Sequence, residues 1–152
     1  MDTLQITKDN AVKAYNNGDT NVKKALENLL GADTFRSKNI MDRVKSYADA
    51  VIVLGRKAII VSTDTDDEVA YKELKLIAEA LNEGWKPNWD DHNECKYYPW
   101  FNMSSSGLSC LVFGYDSSAS CVGSRLCFKN EELAEYAGKQ FIDLYTKLFI
   151  IK

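Results

Sequence analysis

Trp85-Lys86-Pro87-Asn88-Trp89 and Tyr97-Tyr98-Pro99-Trp100-Phe101 head a stretch, 85–128, that holds all three tryptophans, all four cysteines and the only histidine of the 152-residue chain. Pro87 and the polar run Asn88 to Glu94 break regular structure. Beyond them, apolar and polar residues alternate in three segments, roughly 96–103, 107–113 and 121–128, separated by serine- and glycine-rich turns. Alternation of this kind reads as strands, and the short connections suit an antiparallel meander. In the third segment Val122, Leu126 and Phe128 are expected on one face, with Cys121, Arg125 and Cys127 on the other. In the first, Tyr97, Pro99 and Phe101 share a face opposite Tyr98 and Trp100. One set belongs to the core; the other is exposed or covered by 85–95.

Helical patterns lie on either side. Thr7 caps a short helix to Asn17. Asp19 caps another, in which Val22, Ala25, Leu26, Leu29 and Leu30 follow the spacing of one helix face up to Gly31. Asn39 to Lys45 can form a further helical piece. Ser46-Tyr47-Ala48-Asp49 has the pattern of a capping box and favours a helix to Leu54, although the β-branched run Val51-Ile52-Val53 favours a strand. Lys57 to Val61 reads as a strand or an extended connection. The clearest helix is Asp67 to Glu83, with Ala70, Leu74, Ile77, Ala78 and Leu81 in one stripe and Gly84 closing it. Asn130 opens a last helix with Leu133, Ala137, Phe141, Leu144, Tyr145 and Leu148 on its buried side. The expectation is a single α+β domain, 1–152. A helical N-terminal region, 1–84, packs on a three-stranded antiparallel sheet followed by a C-terminal helix, 85–152.

Charge narrows the partners. Residues 1–84 carry 14 acids and 12 bases and residues 85–152 carry 8 and 7, so no basic stripe advertises a polyphosphate. That balance argues against nucleic acid and suits a protein or a small aromatic ligand. Met1 to Ile6 lacks the basic flank and apolar core of a signal peptide, and no apolar run is long enough to span a bilayer. A cytoplasmic location, no membrane and reduced thiols are expected. Either a monomer or a homodimer fits.

Four candidate chemistries can be weighed. Asp90-Asp91-His92-Asn93-Glu94 brings the one histidine among carboxylates, yet adjacent loop residues diverge and no metal-ligand spacing supports them; a solvated loop is the simpler reading. Cys95, Cys110, Cys121 and Cys127 are spaced by 15, 11 and 6 residues, with no CxxC pair. Buried or half-buried thiols fit better than zinc, and only His92 with Cys95 offers a nucleophile beside a base. No Walker A or GxGxxG pattern supports phosphate cradling by glycines. The aromatic block can stack a base, nucleotide or sugar, although most of its rings should fill the junction between helices and sheet. The residues singled out for ligand binding are Trp89, Tyr98 and Trp100, with Arg125 reaching an anion. No catalytic residue, metal ligand or cofactor is assigned.

Four stretches carry a likeness: Leu81-Asn82-Glu83-Gly84-Trp85, Tyr97-Tyr98-Pro99-Trp100-Phe101, Gly123 to Lys129 and Glu132 to Phe141. With the opening Ile6 to Asn16, they resemble a family of small uncharacterised proteins from gut bacteria and their phages or mobile elements. The middle, Val51 to Thr65, stands outside the likeness. The family brings no established activity, cofactor or catalytic residue, so no site residue is carried over. What the resemblance implies is a phage- or element-linked cytoplasmic protein, an accessory or counter-defence factor. Three functions follow in order: a non-catalytic binding protein using a protein surface or small aromatic pocket; a nucleic-acid-associated module using the aromatic sheet; and an enzyme centred on His92 and Cys95.

Overall fold

The computed structural model describes residues 6–35, 37, 39–104 and 107–151. Among these the chain forms seven α-helices and one two-stranded antiparallel sheet, an α+β arrangement. It divides into two compact units, 1–38 and 39–152. No helix among the described residues is long and apolar enough to cross a membrane.

The first unit is a helical pair, α1 (Lys8–Asn17) and α2 (Thr20–Leu30), followed by a 3-10 turn at Ala32–Thr34. Thr7 and Asp19 cap as expected: the Asp19 carboxylate accepts from the N–H groups of Asn21 and Val22, both at 2.9 Å. Tyr15 stacks on Phe35, with ring centroids 4.4 Å apart.

The second unit holds α3 (Ile40–Arg43), α4 (Tyr47–Leu54), α5 (Asp66–Asn82), β1 (Lys96–Ser104), β2 (Gly107–Asp116), α6 (Glu131–Gln140) and α7 (Ile142–Phe149). The contest over 48–54 resolves as helix. Ser46 Oγ accepts from the Asp49 N–H, and the Asp49 carboxylate accepts from the Ser46 hydroxyl and the Lys45 N–H. Three local bonds at the helix start outweigh the small β preference of Val51-Ile52-Val53. Helix α5 is the centre of the core: Ala70, Leu74, Ile77, Ala78 and Leu81 are all buried, together with Leu76 and Ala80. Its N-terminus is closed by the Thr65 N–H donating to Glu68 Oε2 at 2.8 Å. Residues 57–61 form a connection without strand pairing.

The sheet corrects the expected fold. It has two strands, not three: β1 and β2 pair from Lys96↔Asp116 to Ser104↔Gly107, with a register shift after Trp100. Segment 121–128 is a series of turns that touches the sheet at one bridge, Tyr97↔Phe128. Gly123 sits at φ +67°, a left-handed turn that no strand accommodates. The expected alternation fails with it, since Leu126, Cys127 and Phe128 are buried in succession while Cys121 and Arg125 are exposed. In place of a neighbouring strand, the Asn82 side chain brackets this segment. Its Nδ2 donates to the Cys127 carbonyl at 2.8 Å, and its Oδ1 accepts from the Lys129 N–H at 3.1 Å.

The single C-terminal helix is also two. Phe141 leaves helical geometry at φ −112° and ψ 29°; α6 lies on the hairpin, while α7 packs on α5 and β2. Each half follows its own neighbour. Close approach of α6 to the sheet requires Gly138, because a Cβ there would meet Cys110 Sγ at 2.5 Å and Pro99 Cβ at 2.8 Å. The aromatic parity holds. Tyr97 and Phe101 pack against the core and Pro99 is buried; Phe101 meets the fully buried Tyr145 at 4.8 Å between centroids. On the other face Tyr98 and Trp100 form a tilted pair at 6.2 Å, and Trp100 is 51% exposed.

Candidate functional site

Lys96 organises the loop between α5 and β1. As the first residue of β1 it has the parity of Tyr98 and Trp100, and 88–94 folds over it. Its side chain is 1% exposed. The ammonium donates to the carbonyls of Asn88, Glu94 (2.6 Å), Ser117 (3.1 Å) and Asp91 (3.2 Å), and lies 3.3 Å from Glu94 Oε1. It also sits 5.3 Å from the centroid of the Trp89 ring. An ammonium has three protons to give, and here the protein supplies more acceptors than that. The partner carboxylate is held equally firmly. Glu94 accepts from the Asn88 N–H at 2.7 Å and from Trp85 Nε1 at 3.3 Å. Those bonds, the Asn88 N–H foremost and Lys96 and Trp85 after it, hold Glu94 below its usual value of 4.5.

Beside this knot lies a groove of about 720 Å³. One wall is a face of α5, where Tyr71, Lys75 and Glu79 recur every four residues. Trp85, Lys86 and Pro87 form a second wall and Val122 to Arg125 a third, with Arg56 at the margin. The chain turns between the first two walls at Glu83 and Gly84, where the Trp85 N–H donates to the Asn82 carbonyl at 3.0 Å. Ser120 shapes the third by accepting from the N–H groups of Val122 and Gly123. Four cationic side chains and one carboxylate line the groove. Glu79 is ion-paired with Arg56 at 2.5 Å. Lys75, Lys86 and Arg125 have no ion-pair or side-chain hydrogen-bond partner among the described residues.

The four expected ligand residues are spread along one path rather than gathered. Arg125 lines the groove. Trp89 stands behind it, with its Nε1 donating to Ser124 Oγ at 2.7 Å and its ring over Lys96. Tyr98 comes next, lying against Gly114, where a Cβ would meet its ring at 2.5 Å. Burial pushes the Tyr98 hydroxyl up, with Cys121 beside it. Trp100 ends the path on open sheet with Val112 opposite. Trp85, Lys75, Lys86 and Arg56 were outside that set. Trp85 was visible as an aromatic beside a helix stop; Lys75 gave no local signal, because the wall from Val122 to Arg125 lies about fifty residues away in sequence.

Other candidate groups are kept apart. His92 is exposed and its Nδ1 lies 2.7 Å from Ser118 Oγ. Cys95 faces the Tyr97 hydroxyl instead. All four cysteines are free thiols. Cys110 packs toward α6, Cys121 is exposed near Tyr98, and Cys127 is buried, its thiol pushed up to about 11 by burial. Among the described residues no three His, Cys, Asp or Glu side chains converge as a metal-ligand set. No protein-family model, curated protein or solved structure matches the chain.

Proposed function

We propose that this chain is a non-catalytic binding or accessory protein that takes a small aromatic ligand in the groove between Trp85 and Arg125. The observation that carries this reading is the groove itself. Its volume falls within the range of ligand clefts, it offers the rings of Trp85 and Tyr71, and its charged groups are four cations and one carboxylate. Its one carboxylate is already neutralised by Arg56. Neither a histidine nor a cysteine lines it. The cytoplasmic location is carried over from the sequence reading, and the phage or mobile-element link rests on the resemblance of the quoted stretches alone.

The nucleic-acid reading keeps one observation in its favour: Tyr98 and the exposed Trp100 share a sheet face and can stack bases. That face lacks phosphate partners, since its one cation, Lys96, is consumed by the loop above it. Binding there would rest on stacking alone and would depend little on salt.

Native mass spectrometry of untagged protein, compared with its denatured mass, tests the groove. The expected result is a retained small molecule that disappears in Val122→Trp, which fills the cleft. An added mass that survives Val122→Trp contradicts the assignment, as does a protein partner captured equally by both forms.

A further inference from the structure

Building on the groove as the ligand site, we infer that its ligand is a phosphate-bearing compound with a planar ring, of the mononucleotide class. Three features of the lining select that chemistry. First, Lys75, Lys86 and Arg125 converge on one cleft with no carboxylate of their own, while Arg56 has Glu79. Unpaired like charges around a concave surface add up to a local positive potential, so the groove favours an anion of more than one charge. Second, the cations differ in kind. Arg125 presents a planar fork that matches two phosphate oxygens, and the two lysines act as compact point charges. Third, Trp85 and Tyr71 share the lining with these cations, which gives a flat ring a place to stack within reach of the phosphate.

The chain as a whole carries a formal charge of −3. Groove cations left without partners in an acidic protein are a local departure that folding does not require. Lys96, buried in the same unit, shows what the fold does with a cation it needs: it surrounds it with carbonyls and a carboxylate. A free phosphate could come from a small molecule or from the end of a nucleic-acid strand. The groove favours the small molecule, because the neighbouring strand face carries one cation, Lys96, and the loop already holds it.

The three tryptophans supply their own reporters. In the ¹H–¹⁵N spectrum of the labelled full chain, the Trp85 and Trp89 indoles report on the groove through their bonds to Glu94 and Ser124, and exposed Trp100 is the internal control. The probes are AMP, adenosine, inorganic phosphate and a single-stranded oligoadenylate. AMP should move the Trp85 indole and bind about tenfold or more tighter than adenosine. Phosphate should compete, and Arg125→Gln should cost AMP about tenfold while leaving adenosine unchanged. Equal affinity for AMP and adenosine would overturn the phosphate assignment and leave the groove standing. So would silence toward every probe while native mass spectrometry still finds a ligand that Val122→Trp expels. Shifts confined to Trp100 would overturn both the ligand and the groove. Oligoadenylate binding far tighter than AMP, with a steep salt dependence, would replace the mononucleotide by a nucleic acid.

Discussion

Lys96 and the Trp85 groove are two concentrations of positive charge that the molecule treats in opposite ways. Around Lys96 the protein supplies every partner itself: four carbonyls, the Glu94 carboxylate and the face of Trp89. In the groove, Lys75, Lys86 and Arg125 have no ion-pair partner among the described residues, and the one carboxylate, Glu79, is paired with Arg56. Satisfied charge in a buried site fixes a conformation, and unsatisfied charge at a cleft is available to something else. The two are also mechanically linked, because Glu94 ties Lys96 to Trp85, and Trp89 ties it to Ser124. The knot sets two walls of the groove.

Variants separate the two treatments. Lys96→Met should have the largest effect, a loss of about 3–5 kcal/mol in urea unfolding, because it leaves the loop carbonyls without their donor and Glu94 without its cation. A loss below 1 kcal/mol would mean that water replaces the ammonium and that the loop needs no internal cation. Asn82→Ala should cost about 1–3 kcal/mol, since it strands the Cys127 carbonyl and the Lys129 N–H in or near the core. Amide exchange at Lys129 should rise with it. Unchanged exchange would show that the Tyr97 bridge alone holds the segment.

Glu94→Gln should cost less, about 1 kcal/mol, with a pH signature. The folded protein holds this carboxyl below its usual value, so its contribution is present at neutral pH and is lost as pH falls from about 4.5 through the lower folded value. Thermal melts between pH 7 and 3 should converge for wild type and Glu94→Gln at the acid end. Parallel curves would remove Glu94 from the knot.

How much of this was legible beforehand follows from the range of the interactions. Caps are local, so Thr7, Asp19, Ser46 and Asn130 announce their helices correctly. Strand parity is local too, and it separates Tyr97, Pro99 and Phe101 from Tyr98 and Trp100. Segment 121–128 fails because alternation measures only apolar spacing. It carries no information about Gly123 turning left-handed or about Asn82, about 45 residues upstream, providing the bonds a strand would have made. The break at Phe141 has the same origin: the apolar stripe continues unbroken through it, while the neighbours change from the hairpin to α5. Of the candidate site, Arg125 was visible as a cation beside an aromatic block. The burial of Lys96 and the freedom of Lys75 were not, because whether a lysine is satisfied depends on which distant residues face it.

The smallest expected change in stability is therefore the most telling. Thermal unfolding of wild type and the double variant Lys86→Gln/Arg125→Gln, each with and without AMP, tests whether the groove charges serve a ligand rather than the fold. The prediction is equal midpoints without AMP, within about 0.5 kcal/mol, as for surface groups lacking partners. With AMP the wild-type midpoint should rise as mass action requires and the variant's should stay put. A variant already destabilised without AMP, or one that gains as much from AMP as wild type, would contradict the account.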